Sequence, residues 1–270
     1  MSRPPSHMTD EPHSVVVTGC GQGIGRGIAT ALASDGWQVV GVDVVVPPDS
    51  TDDVPWCTFL TGDTRDRAVH REAAAAAAEL GPLQGWVNNA GVTRQTPLHA
   101  LADPACEAEI EQTVRDVIDI NALGYIWGCS AALEGFLAHG SGGAIVNISS
   151  IHGRLSWTDH AAYEVTKGGV DALTRSVAVT YGPQGIRANA IAPGRIRTEA
   201  IDRWITEAAD PISRQRDLDA GPPQGRMGTP AEIGAVAAFL LSDAASYVTG
   251  QSIAVDGGWT SQFGSPPLHT

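Results

Sequence analysis

Cysteine is scarce, and the four present, Cys20, Cys57, Cys106 and Cys129, lie so far apart that no pair has the spacing of a zinc knuckle or a redox dithiol. The pattern reads as reduced thiols in a cytoplasmic protein, with no metal site. Long apolar runs are also missing. No stretch of about 18 apolar residues could span a bilayer, and the opening MSRPPSHMTDEPH lacks the apolar stretch of a signal peptide. Positive charge is short: 17 Lys and Arg stand against 30 Asp and Glu, for a formal net charge of −13. Such a surface repels nucleic-acid phosphates and anionic membranes, which leaves a small molecule as the expected partner.

What is present is a globular composition, 43% hydrophobic and 17% charged over 270 residues. A single α/β unit of this size buries roughly 75% of the surface its unfolded chain exposes, so one large core suffices. Short Val/Ile-rich runs alternate with Ala-rich stretches of helical length. Strands are predicted at Val15–Val17, Gln38–Asp43, Trp56–Leu60, Gly85–Val87, Ala144–Ile148, Arg187–Ile191 and Ser252–Val255. Helices are predicted around Ile24–Asp35, Arg67–Glu79, Val114–Ala138, Ala161–Tyr181 and Ala231–Leu241, the last after a Thr229-Pro230 start signal. This is the α/β pattern of a doubly wound, Rossmann-type parallel sheet of about seven strands with helices on both faces. Residues 14–258 read as one domain, with tails at 1–13 and 259–270. The Ala73–Ala78 run reads as a plain surface helix.

Ser14-Val-Val-Val-Thr-Gly-Cys-Gly-Gln-Gly-Ile-Gly25 is a buried strand running into a glycine turn and then a helix. A Cβ in such a turn would hold a pyrophosphate off the backbone N–H groups at the helix start. The spacing is T-G-x-x-x-G-x-G through Thr18, Gly19, Gly23 and Gly25, and not G-x-G-x-x-G. A glycine cluster alone also serves ordinary turns, so Asp43 matters. It ends the second strand 18 residues after Gly25, where a carboxylate accepts hydrogen bonds from ribose hydroxyls and repels a 2′-phosphate. Gln22 and Val44 supply no cation for such a phosphate, so NAD is favoured over NADP.

Tyr163 and Lys167 stand four apart in a helical stretch and share one face. A free phenol titrates near 10, so acid–base work at pH 7 needs a shift of roughly 3 units, about 4 kcal/mol, and a neighbouring ammonium acts in that direction. Tyr-x-x-x-Lys by itself is usually just helix surface. Ser150, thirteen residues upstream of Tyr163 and directly after the strand Ala144–Ile148, gives the pair its context.

These motifs, with Asn88-Asn-Ala-Gly91, Asn121 and Pro193-Gly-Arg-Ile-Arg-Thr198, occur in an order that resembles the single-domain short-chain dehydrogenase/reductases over about Ser14 to Gly258. The resemblance implies a reaction: interconversion of a secondary alcohol and a ketone by hydride transfer. Tyr163 exchanges the hydroxyl proton, and Ser150 hydrogen-bonds the reacting oxygen. Lys167 lowers the phenol pKa and holds the nicotinamide ribose, while Asn121 supports a water that links Lys167 to solvent. It further implies that Gly19, Gln22, Gly23, Ile24, Gly25, Asp43, Pro193 and Gly194 bind the cofactor and that Asp63 meets the adenine. Asn89, Ala90 and Gly91 line the cleft; Ile196 and Thr198 hold the carboxamide. A homotetramer built on the helices around Val114–Ala138 and Ala161–Tyr181 is the implied assembly, and 199–225 the implied substrate lid.

Three departures are informative. Glu164 follows the tyrosine where the family usually has a small residue, and it reads as facing solvent or a subunit contact. An acidic insert around Asp103–Glu111 reads as an exposed helical elaboration. The segment Ser150-Ile-His152-Gly-Arg-Leu-Ser-Trp157-Thr-Asp-His160 resembles that of bacterial glucose dehydrogenases in its Ser-x-His start and later Trp, although Thr93 stands where those enzymes use a glutamate. His152, Trp157 and His160 are accordingly the expected substrate residues, and a sugar or polyol the expected substrate. Reduction of steroid-like or acyl-carrier ketones is the alternative; a cofactor-binding module without catalysis is a third reading.

Overall fold

The computed structural model describes residues 13–46, 56–140 and 142–262. The expected tails therefore lie almost entirely outside the described residues. His13 belongs to the domain, because its carbonyl accepts the Gln38 N–H at 2.9 Å. At the other end Trp259–Ser261 form a 3₁₀ turn, and the Trp259 ring lies 4.7 Å beneath the Arg195 guanidinium.

Seven parallel strands, β1 (Ser14–Thr18), β2 (Gln38–Asp43), β3 (Thr58–Thr61), β4 (Leu83–Asn88), β5 (Gly143–Ile148), β6 (Ile186–Pro193) and β7 (Ser252–Val255), form one sheet in the order β3-β2-β1-β4-β5-β6-β7. Among the described residues, eight α-helices connect them: α1 (Gly23–Ser34), α2 (Arg67–Leu80), α3 (Glu107–Ile118), α4 (Gly124–His139), α5 (Ala161–Tyr181), α6 (Glu199–Thr206), α7 (Pro211–Asp219) and α8 (Pro230–Leu241). Strand pleating divides the core. Val15 and Val17 of β1 point to the face covered by Ile28 and Leu32 of α1 and Ile233 and Leu240 of α8, whereas Val16 joins Ala73, Ala132 and Val177 on the other face. The chain leaves β1 for β2 on one side and returns to β4 on the other, which opens a cleft at the carboxyl ends of the strands.

Two sequence expectations change. The Ala73–Ala78 run is not a plain surface helix, since Ala73 and Ala77 are fully buried at i, i+4 and bring α2 close to the sheet. The helix predicted at Val114–Ala138 starts earlier, at Glu107, and is broken by a π turn at Asp119–Leu123 into α3 and α4. Asn121 holds the break: its Oδ1 accepts the Val92 N–H and its Nδ2 donates to the Val92 carbonyl, both at 2.8 Å. The acidic insert becomes the exposed start of α3, as its composition implies.

A buried polar chain lies beneath the cleft. Trp86 Nε1 donates to Asn88 Oδ1 at 2.8 Å, Asn88 Nδ2 to Asn147 Oδ1 at 2.9 Å, and Asn147 Nδ2 to Thr174 Oγ1 at 2.9 Å. Each link leaves no amide orphaned, and together they lock β4, β5 and α5 in one register.

Candidate active site

At the carboxyl ends of the central strands lies a cleft of about 530 Å³. One end is built from backbone. Gly19 and Gly23 adopt φ of 65° and 55°, the left-handed region in which a side chain is strained. A Cβ on Gly19 would stand 2.6 Å from Ala90 Cα, and one on Gly25 would collide with the Gly19 carbonyl. Thr18 and Asn89 fasten this turn to β4: Thr18 Oγ1 accepts the Asn89 N–H at 3.0 Å, and Asn89 Nδ2 donates to the Thr18 and Gly19 carbonyls, both at 2.9 Å. Asp43 closes the turn from β2, its Oδ2 accepting the Gly21 N–H at 2.8 Å and its Oδ1 the Val45 N–H at 3.0 Å. A cradle that any Cβ would fill, ending in a fixed carboxylate, fits a dinucleotide.

Asp63 also lines the cleft, but Arg65 engages it, with Nη2 at 2.6 Å and Nε at 2.9 Å from Oδ2. Hydrogen bonding from Arg65 holds the Asp63 carboxyl below its ordinary range. Arg65 in turn reaches Asp116 on α3 at 3.3 Å. Gln22, Gly23, Ile24, Ala90, Gly91, Pro193, Gly194 and Thr198 also line it. Ile196 does not join them. Its side chain is 6% exposed and packs in the core beneath α8, and its backbone bridges to Gly228.

The other end is built from side chains. Ser150 follows β5, and its Oγ accepts the His152 N–H at 3.1 Å, so the hydroxyl proton is left to point elsewhere. Tyr163 stands on the first turn of α5 and lines the cleft beside Ser150 and Thr93. Burial pushes its phenol above the ordinary value, and the nearby Ser150 and Thr93 hydroxyls act in the opposite direction. One turn on, the Lys167 Nζ donates to the Ile148 carbonyl at 2.8 Å and to the Tyr125 hydroxyl at 3.2 Å. It lies 5.7 Å from the centre of the Tyr163 ring. Burial lowers Lys167 to about 7 against the opposing pull of Asp171. The expected drop of the phenol under a neighbouring ammonium is thus absent in the chain alone, because burial acts against both charges. Asn121 lies behind this group, close to Lys167 across Gly91, with its amide committed to Val92.

Of the expected substrate residues, His152 is the one beside the reacting group, its ring edge-on to Tyr163 at 5.9 Å. Trp157 stacks on His152 at 5.6 Å and is 46% exposed. His160 turns to its own loop: it stacks flat on Trp157 at 4.7 Å, and its Nδ1 lies 2.7 Å from the Thr158 carbonyl. Glu164 faces neither solvent nor a bare surface. Its Oε1 accepts the Trp157 N–H at 2.5 Å and approaches His152 Nδ1 to 3.8 Å, so it points into the 152–160 loop. Sequence reasoning missed Tyr125 and Glu199 as well. Glu199, at the start of α6, accepts the Gly23 N–H at 3.0 Å. No spacing rule marks these three, since each contact joins elements remote in sequence or folded by an irregular loop.

A family model described as "Enoyl-(Acyl carrier protein) reductase" matches residues 19–260. With the ordered motifs and the seven-stranded sheet, this shows that the chain belongs to the short-chain dehydrogenase/reductase family and is an NAD(P)-dependent oxidoreductase acting on CH–OH groups of hydroxylated substrates. Among its relatives, a cis-4-hydroxycyclohexanecarboxylate dehydrogenase from Sinomonas cyclohexanicum is 39% identical, covering 91% of this chain and 95% of the relative. A 3beta-hydroxysteroid dehydrogenase 1 from Eggerthella lenta is 35% identical, covering 92% and 93%. The crystal structure of a putative 2-deoxy-d-gluconate 3-dehydrogenase from Agrobacterium tumefaciens, with bound NADP, superposes with a TM-score of 0.80 at 29% identity, covering 94% of this chain and 98% of that one.

Proposed function

We propose that the protein oxidises a secondary alcohol on a sugar, polyol or other polyhydroxylated molecule to the ketone, and runs the reverse reduction, with NAD preferred over NADP. The observation that carries this reading is the convergence of Ser150, Tyr163 and Lys167 at one end of a cleft whose other end is closed by Asp43. Bound NAD supplies the hydride acceptor. Gly19, Gly23 and Gly25 let the cofactor's phosphates approach backbone, Asp43 takes the adenosine ribose, and Lys167 the nicotinamide ribose. Tyr163 accepts the alcohol proton at its Oη, and the Ser150 hydroxyl donates to the reacting oxygen. Thr93 lines the cleft beside the same phenol and is added to this group.

Preference for NAD rests on charge. No cation accompanies Asp43 at Gln22 or Val44, and Arg65, in the same cleft, is already paired with Asp63. The polar substrate is supported by Thr93 in the cleft lining and by His152, whose ring stands edge-on to Tyr163. Helices α6 and α7, within 199–225, act as the lid. Assembly as a homotetramer is supported by apolar side chains left open on α4 and α5, where Ile126 is 41% exposed, Val165 70% and Val179 80%. No helix among the described residues is long and apolar enough to cross a membrane, in keeping with a cytoplasmic enzyme.

The test is a screen at 340 nm of sugars, polyols, steroids and simple secondary alcohols with NAD and NADP. Turnover of hydroxylated substrates with NAD supports the reading. Turnover of steroids alone, or equal efficiency with both cofactors, refutes the corresponding part.

A further inference from the structure

His152 is held on three sides. Its backbone N–H is bonded to Ser150, one ring face is stacked on Trp157, and its edge meets Tyr163. Only the two nitrogens remain to interact, and their surroundings differ. Nδ1 is buried without a hydrogen-bond partner and looks at Glu164 Oε1 across 3.8 Å. Nε2 makes no hydrogen bond to the described residues and is not among the buried, unpartnered atoms, so it is free to accept from a ligand.

Burial holds the His152 imidazole below its ordinary value, with His160 and Arg195 acting in the same direction and Glu164 against them. A neutral ring at pH 7 carries one N–H, and the neighbouring carboxylate decides where it sits. A lone pair on Nδ1 would face the Glu164 oxygen and be repelled; an N–H there is attracted. Nε2 is then an acceptor.

We infer that Glu164 is a positioning residue that fixes the Nδ1–H tautomer of His152, so that Nε2 accepts a hydrogen bond from a second hydroxyl next to the reacting carbinol. The substrate class is a vicinal diol or α-hydroxyketone. This rests on the reading above that Tyr163 meets the reacting oxygen, since the His152 ring stands edge-on to the Tyr163 ring at 5.9 Å. An acceptor at that position welcomes O–H and rejects groups that only accept, such as ethers and carboxylates. Sites built to bind a hydroxyl discriminate strongly against analogues that lack it.

Three probes separate the possibilities: cyclohexane-1,2-diol, which offers an O–H; 2-methoxycyclohexanol, which offers only an acceptor; and cyclohexanol, which offers neither. With the full-length enzyme and NAD, kcat/KM for the diol is expected to exceed that for cyclohexanol by at least about tenfold, with the methyl ether no better than cyclohexanol. His152→Ala should bring the diol-to-cyclohexanol ratio close to one. Glu164→Leu is the sharper variant, because it removes the oxygen that faces Nδ1 and frees the ring proton to move to Nε2, whereas Glu164→Gln keeps an oxygen at that place for both the Trp157 N–H and Nδ1–H. Glu164→Leu should lower the diol-to-ether ratio, and Glu164→Gln should retain it. A wild-type diol-to-cyclohexanol ratio near one, or absence of diol oxidation, overturns the inference. So does a Glu164→Leu variant that slows all three probes in equal proportion, which is what a merely structural role predicts. The reading beneath it fails separately, if Tyr163→Phe continues to oxidise cyclohexanol.

Discussion

The two ends of the cleft are made from different material. The dinucleotide end is backbone: glycines at positive φ or against a carbonyl, and a carboxylate pinned by two N–H groups. The reacting end is side chain: a phenol, a hydroxyl, a buried amine and a histidine held by a carboxylate from the next helix. A backbone site fails when an atom is added, whereas a side-chain site fails when an atom is removed. Substitutions that keep the fold should therefore separate binding from chemistry.

The largest effect is expected from Tyr163→Phe, which removes one oxygen and leaves the glycine end untouched. Turnover should fall by about 10³-fold with NAD affinity within about twofold, because general acid–base catalysis contributes on that order. Since burial holds this phenol high and oxidation needs it as a proton acceptor, kcat/KM for alcohol oxidation should climb with pH while ketone reduction declines. Steady-state rates across pH 6 to about 10 check the sign. Near-normal turnover in the variant, or a flat profile in both directions, would break the division of labour.

Gly25→Ala is the complementary change. The added methyl meets the Gly19 carbonyl and the Asn89 amide, so the turn must shift or the helix retreat. Overpacking of this kind costs about 1–3 kcal/mol, and NAD affinity should weaken by roughly ten- to a hundredfold in calorimetric titration. Retained affinity with lost turnover would show that the two ends are not separable.

Asp43→Asn tests charge in place of shape. It retains one oxygen acceptor and removes the negative charge, so the NAD-to-NADP ratio of kcat/KM should fall by about tenfold, or 1.4 kcal/mol. An unchanged ratio would move the source of cofactor preference elsewhere in the cleft.

The same contrast explains what could be read from the chain. Glycine constraints are local and steric, so Thr18 to Gly25 announces its turn, and Asp43 is legible because it ends a strand whose length is fixed by its neighbours. Strand and helix order followed from hydrophobic period. The break at Asp119–Leu123 did not, because a π turn is held by Asn121 reaching Val92, a contact 29 residues away. Glu164 was misjudged for a related reason. Helical geometry gives its angle from Tyr163, but the 152–160 loop folds back over that face through Asp159, the one non-glycine residue of positive φ among those described. Ile196 has the right place in its motif, yet the bridge to Gly228 turns its side chain into the core.

Glu199 joins the two ends, and the smallest effect is expected there. It begins α6 on the substrate side, yet its Oε2 accepts the Gly23 N–H at 3.0 Å, at the start of α1. That terminus carries the positive end of the helix dipole and is the natural seat of a phosphate oxygen. On the proposed reading a phosphate oxygen competes with the Glu199 carboxylate for this N–H. Glu199→Gln keeps an oxygen for the same bond but removes the charge, and NAD should bind about two- to fivefold more tightly at low salt, in line with the modest worth of a charge at an exposed helix end. The gain should shrink as ionic strength rises, because the contact is open to solvent. Tighter binding with that salt dependence would mean that the lid side holds the cofactor end in check. Weaker binding would mean that Glu199 serves the turn as a cap, and that the two ends answer to separate residues after all.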